Sequence, residues 1–111
     1  MINLPKLSLD ANEWIIQDGD KSDNAYWIEK GVVDIVLTRK KQTQKLATFS
    51  DGEVFGEISI FLNSPRTAGA ISVTPTTLYV LERDNILKAY ENSGGIYQIF
   101  LKSLFTYLIQ H

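Results

Sequence analysis

Between Trp14 and Leu81 the sequence is cut into short apolar runs, each halted by turn-forming residues. This punctuation constrains the fold more than any other feature. Trp14-Ile15-Ile16 is followed by Asp18-Gly19-Asp20, Ala25-Tyr26-Trp27-Ile28 by Lys30-Gly31, and Val32 to Leu37 by Arg39-Lys40-Lys41. Leu46 to Phe49 stops at Ser50-Asp51-Gly52, Ala68 to Val73 stops at Thr74-Pro75, and Thr77 to Leu81 closes the series. β-Branched and aromatic side chains dominate these runs, as strands on a half-buried sheet require. No run is followed by a helical pattern before the next, which argues against a parallel α/β sheet. Short strands at this spacing lead to a sandwich, a jelly roll or a barrel.

The texture changes after residue 83. Residues 1–83 hold five of the seven glycines and all three prolines. Beyond them, Asp84 is placed to cap a short helix ending at Glu91, and Asn92-Ser93-Gly94-Gly95 breaks it. A second helix is expected from about Ile96 to Ile109, where ten of fourteen residues are apolar. Its apolar face is wider than the stripe of about 100° that one packing surface needs. Either this helix is wedged deeply into its own domain, or it covers a partner or ligand as well as the sheet.

Composition removes whole classes of function. At 111 residues the chain has the length of one domain, able to bury about two-thirds of its unfolded surface. It has no cysteine, hence no disulfide framework, zinc thiolate site or thiol nucleophile. Its one histidine is His111, so no histidine cluster awaits a metal and no internal base pairs with a serine. The net charge of −2 does not supply the basic face of a nucleic-acid binder. No apolar run approaches the roughly 20 residues of a membrane span. MINLPKLSLD lacks the pattern of a signal peptide, so a soluble, cytoplasmic setting is expected. Arg39 to Lys45 holds four cations and no acid; it is either an anion-binding patch or a hairpin kept soluble by charge.

The densest chemistry lies between Phe55 and Ala68. Glycines at 52 and 56 precede Glu57-Ile58-Ser59-Ile60-Phe61-Leu62, a hexamer suited to a turn or two of helix. A helix N-terminus reached through glycine offers free N–H groups to an anion. Arg66 is one of only three arginines and stands beside small apolar residues, where a guanidinium is partly desolvated and needs an anion. Two readings stay open on these residues alone. Arg66 binds a ligand, or it pairs with Glu57 or Glu53 and merely closes the loop.

Phe55-Gly56-Glu57, a short apolar helix and Pro65-Arg66-Thr67-Ala68 closely resemble the phosphate-binding cassette of the cyclic nucleotide-binding domain family. That family includes the cAMP receptor protein, kinase regulatory subunits and cyclic-nucleotide-gated channels. Gln17-Asp18-Gly19-Asp20, Tyr26-Trp27-Ile28 and Gly31-Val32-Val33 resemble its first strands, and Val80 to Asp84 resembles its last strand entering the B helix. The resemblance implies a mainly β, jelly-roll (double-stranded β-helix) barrel over about 9–83. It adds a short cassette helix, a B helix over about 84–91 and a C helix over about 96–109, all in one domain spanning 1–111. It implies that Arg66 pairs with the cyclic phosphate, helped by backbone N–H groups near Ile58 and Ser59. Glu57 would accept the ribose 2′-OH, Gly56 would let the sugar-phosphate lie close, and Thr67 would touch the phosphate or a guanine amino group. Val54, Leu46 and Ile71 are expected around the base, with Tyr97, Phe100 or Tyr107 of the C helix capping it.

Two departures stand out. Where the family usually has glycine, Asn12 precedes Glu13, and asparagine tolerates left-handed backbone angles better than most residues. Nothing follows the C helix, so a helix-turn-helix is not expected, nor any contact with nucleic acid. The resulting expectation is a non-enzymatic sensor of cAMP or cGMP, with no metal or other cofactor. The alternative is a dimerisation or docking module of the same fold whose pocket holds no nucleotide, with a homodimer formed through the 96–109 helix.

Overall fold

The computed structural model describes residues 4–57, 60 and 65–110, with side chains described as far as Leu104. The apolar runs become eight strands: β1 (Lys6–Leu9), β2 (Trp14–Ile16), β3 (Asn24–Lys30), β4 (Val32–Arg39), β5 (Gln42–Ser50), β6 (Val54–Phe55), β7 (Gly69–Ser72) and β8 (Thr76–Glu82). Two helices follow, α1 (Arg83–Glu91) and α2 (Gly95–Gln110). The strands pair antiparallel in two sheets of four, ordered β1-β8-β3-β6 and β2-β7-β4-β5. The core between them draws three buried side chains from each sheet. Ile28, Phe55 and Leu78 come from the first, and Ile16, Val33 and Ala70 from the second.

The expected jelly-roll barrel is therefore corrected to two open sheets, neither of which closes on itself. Closure requires an edge strand of one sheet to ladder onto an edge of the other. The edges here are β1, β6, β2 and β5, and the first three hold only four, two and three residues. Such short edges cannot carry a continuous ladder round the corner. Burial alternation tells which face of a strand is inside but not which strand it pairs with.

Consecutive strands change sheets at almost every connection, and among the described residues β4–β5 is the one hairpin joining neighbours in the same sheet. Its two-residue turn, Lys40-Lys41, has φ of 52° and 65°, the twist that suits a tight hairpin. Arg39 forms an ion pair with Asp18 at 3.4 Å. The cationic stretch is thus an exposed, charged hairpin. Between β3 and β4 the chain passes from one sheet to the other through Gly31 alone, at φ +127°. A Cβ there would stand 2.4 Å from Thr76 Oγ1 and 2.7 Å from its Cα.

Helix α1 starts one residue earlier than the sequence suggested. Glu82 is the N-cap, without a side-chain bond, and Asp84 lies in the first turn, where the helix dipole favours a carboxylate. The first free N–H, that of Arg83, donates to Asp23 O at 2.9 Å. Among the described residues no helix is long and apolar enough to cross a membrane.

Gly31→Ala is expected to destabilise the domain by about 2–4 kcal/mol, combining a left-handed backbone penalty with overpacking against Thr76. Thermal unfolding checks this; an unchanged midpoint would show that the corner between the sheets tolerates a side chain.

Candidate functional site

The site begins where β6 ends. Phe55 is buried, its ring stacked on Tyr26 at 5.3 Å and on Phe49 at 6.2 Å. Gly56 then turns the chain at φ +85°, and helical backbone begins at Glu57. Ile60 is fully buried and anchors this segment to the interior. Ile58 and Ser59, expected to supply backbone N–H groups, lie outside the described residues. A Cβ on Gly56 would meet Arg66 Nη1 at 3.1 Å and Nη2 at 3.3 Å. Glycine is what lets the guanidinium lie flat against the main chain.

Arg66 is only 5% exposed. Its backbone is fastened on both sides: its N–H donates to Asp20 O at 2.8 Å, and Gly19 N–H donates to its carbonyl at 2.7 Å. Nη1 donates to Gly56 O at 2.5 Å and Nη2 donates to Asn24 O. Nε is buried with no partner. Neither acid considered from the sequence is bonded to it among the described contacts. Glu53 Oε1 instead accepts from Ser50 N at 2.9 Å. Burial pushes the Arg66 guanidinium below its ordinary pKa, while the electrostatic influence of Tyr26, Glu57, Asp20 and Asp23 acts in the opposite sense. A buried cation held by neutral carbonyls, with its Nε–H unpartnered among the described residues, is the electrostatic condition of an anion site.

Beside it opens a cavity of about 330 Å³, within the size range of small-molecule sites. Gly56, Glu57, Arg66 and Thr67 form one end, and Thr67 is exposed there. The remaining wall is apolar and comes mostly from the inner face of β2-β7-β4-β5. Leu46 lines it as expected, but Val54 and Ile71 do not; their neighbours Phe55 and Ala70 do. Side chains alternate faces along a strand, so an error of one residue exchanges inside for outside. Ile35, Ala47 and Phe49 were also missed. Leu46 and Ala47 are adjacent yet share the wall. The register with β4 jumps from Ile35↔Ala47 to Val36↔Lys45, leaving Leu46 as the extra residue of a β-bulge. A bulge re-aims a side chain in this way.

Two of the three aromatic candidates on α2 do not reach the cavity. Tyr97 is 69% and Phe100 58% exposed, and neither lines it. The Tyr107 side chain lies outside those described. Helix α2 is tied to α1 by Tyr90 OH donating to Gln98 O at 3.5 Å. Among the described residues no group of three or more potential metal ligands comes together. What the arrangement offers is a fixed cation and a carboxylate at one end of an apolar chamber, suited to a molecule with an anionic and an apolar part.

Comparison with known proteins agrees with this geometry. The family description "cyclic nucleotide-binding domain" matches residues 6–93. The cAMP-dependent protein kinase regulatory subunits of Eremothecium gossypii and Candida albicans are each 35% identical over 94 residues, 81% of this chain. The chain spans 20% of the length of those relatives. Among solved structures, the cGMP-bound form of the EAL enzyme Bd1971 superposes with a TM-score of 0.84 at 28% identity, over 94% of this chain and 28% of that one. The sensor domain of the Pseudomonas aeruginosa transcriptional regulator DNR shares the fold, with a TM-score of 0.83 at 24% identity over 96% of this chain and 72% of that one. The matching region is a regulatory binding module and not a catalytic one. From its cassette to its sheets, the chain belongs to the cyclic nucleotide-binding domain family.

Proposed function

We propose that residues 1–111 act as one sensor domain that binds cAMP or cGMP without altering it chemically, in a cytoplasmic setting. The observation that carries this reading is the buried Arg66, whose charge has no acidic partner among the described hydrogen bonds and ion pairs and whose Nε has no partner among the described residues. A cyclic phosphate supplies what it lacks. Gly56 leaves the sugar-phosphate room at the main chain, and Ile58 and Ser59 contribute backbone N–H groups. Glu57 accepts the ribose 2′-OH. Thr67 reaches the phosphate or a guanine amino group, and the base enters the apolar chamber. An aromatic of α2, from among Tyr97, Phe100 and Tyr107, then closes over it. Support comes from the kinase regulatory subunits, named for cAMP dependence, and from a structural relative solved with either cAMP or cGMP.

A second reading rests on a separate observation. Ile96, Tyr97, Ile99, Phe100 and Leu104 leave α2 with a broad exposed apolar face, the mark of an interaction surface. In that reading the domain is a dimerisation or docking module and any pocket ligand is incidental.

Calorimetric titration with cAMP tests the first reading. Arg66→Ala is expected to lose roughly 2–5 kcal/mol of binding, because a phosphate is left buried and unpaired. Arg66→Lys is expected to recover only part of it, since a point charge replaces a fork. Glu57→Ala should lose about 1–3 kcal/mol and show no further loss with 2′-deoxy-cAMP. Equal affinity of wild type and Arg66→Ala would contradict the assignment. Sedimentation with and without cAMP tests the second reading: a nucleotide-independent dimer is its expected result, and a monomer at high concentration in both states refutes it.

A further inference from the structure

The β4–β5 hairpin concentrates charge that its neighbours do not balance. Arg39, Lys40, Lys41 and Lys45 are four of the chain's eleven cations, and they leave seven cations against thirteen acids elsewhere. Every residue from Thr38 to Leu46 is exposed. All thirteen Asp and Glu residues lie among those the structure describes. Only Asp18 pairs with the hairpin, through Arg39, and Lys40, Lys41 and Lys45 form no ion pair with any acid side chain. Lys40 and Lys41 also fill the two central positions of a turn with left-handed backbone, at φ 52° and 65°. Such turns favour Asn-Gly or Asp-Gly, because a residue with a Cβ is sterically penalised there. Lysines on the flanking strands would keep the hairpin soluble without that penalty. Backbone strain and unbalanced charge fall on the same two residues, and strain retained in this way points to a function.

We infer that the hairpin tip is a docking surface for a short acidic segment of a partner protein. Its carboxylates supply the counter-charge that Lys40, Lys41 and Lys45 lack, and Gln42 and Gln44 between the cations offer amide donors to the same groups. Thr38 to Lys45 includes no apolar side chain, so the tip has nothing to bury among lipid headgroups. A nucleic-acid duplex carries a charge for about every 1.7 Å of its axis and would run past the tip along a domain that is otherwise acidic. A short segment meets the tip alone, because charges beyond about 8 Å are largely screened at physiological salt. Such docking is weak and salt-dependent, as exposed ion pairs are. It does not require that the cavity bind a nucleotide.

The test is fluorescence anisotropy of a labelled short peptide of alternating aspartate and serine, titrated with the full chain at low and at physiological salt. The expected result is saturable binding that weakens as salt rises, and none to the same peptide with asparagine for aspartate. The double variant Lys40→Asn/Lys41→Gly keeps the turn and removes two charges. It is expected to bind the aspartate peptide at least about threefold more weakly, yet to unfold at a higher temperature because the turn is relieved of strain. The rise in midpoint separates lost binding from lost folding. Failure of the aspartate peptide to bind, equal binding of the asparagine peptide, or a smaller fall in the double variant would overturn the inference. So would a midpoint at or below that of wild type. Vesicles containing phosphatidylserine, or a short DNA duplex, would overturn it by displacing the labelled peptide more readily than the unlabelled peptide does at equal concentration of charge.

Discussion

Everything around the cavity depends on how one guanidinium is kept out of water. Withdrawing such an ion from solvent costs on the order of several kcal/mol even after the protein relaxes around it, so the surroundings of Arg66 must hold it firmly. Its backbone is bonded in both directions to the Gly19–Asp20 turn. Its two terminal nitrogens are held by the carbonyls of Gly56 and Asn24. Asn24 opens β3 and Gly56 follows β6, and these two strands are neighbours in one sheet. Three residues beyond Arg66 the chain enters β7 of the other sheet. The residue that confers the charge therefore also fastens the two sheets at the cavity's end.

The same placement separates polar from apolar recognition. Charge, carboxylate and hydroxyl sit on the 56–67 segment, while the strands supply a hydrocarbon wall. The bulge at Leu46 widens that wall by turning two successive residues of β5 to one side. A domain built in this way has no need of a nucleophile, a metal or a titrating base, which fits its membership of a family of non-catalytic cyclic nucleotide-binding modules.

Much of this was legible because certain residue types have few alternatives. A buried charge was legible at Arg66, and the structure has it; at Gly56 the close neighbour is the Arg66 guanidinium, where the sequence pointed to a ligand. Asn12 adopts φ 64°, the left-handed turn its side chain tolerates. Strand pairing was not legible. Alternation is local, whereas whether sheets close depends on contacts between edges far apart in sequence, so two open sheets were mistaken for a barrel. Val54 and Ile71 fell on the wrong face because a parity of two leaves no margin for error. The Leu46 bulge breaks alternation outright and is visible only in the register with β4. Ser72 gave no signal either, yet its buried hydroxyl accepts from Glu13 N at 2.9 Å and donates to Asp10 O at 2.6 Å, pinning the turn between β1 and β2.

The most direct test of the central claim is the ¹⁵N-edited spectrum of the Arg66 Nε–H group during titration with cAMP. If the unpartnered nitrogen awaits an anion, saturation will shift this signal strongly downfield and slow its exchange with water, as a new charge-assisted hydrogen bond requires. An Nε–H signal that stays in place while cAMP saturates the domain would contradict the account.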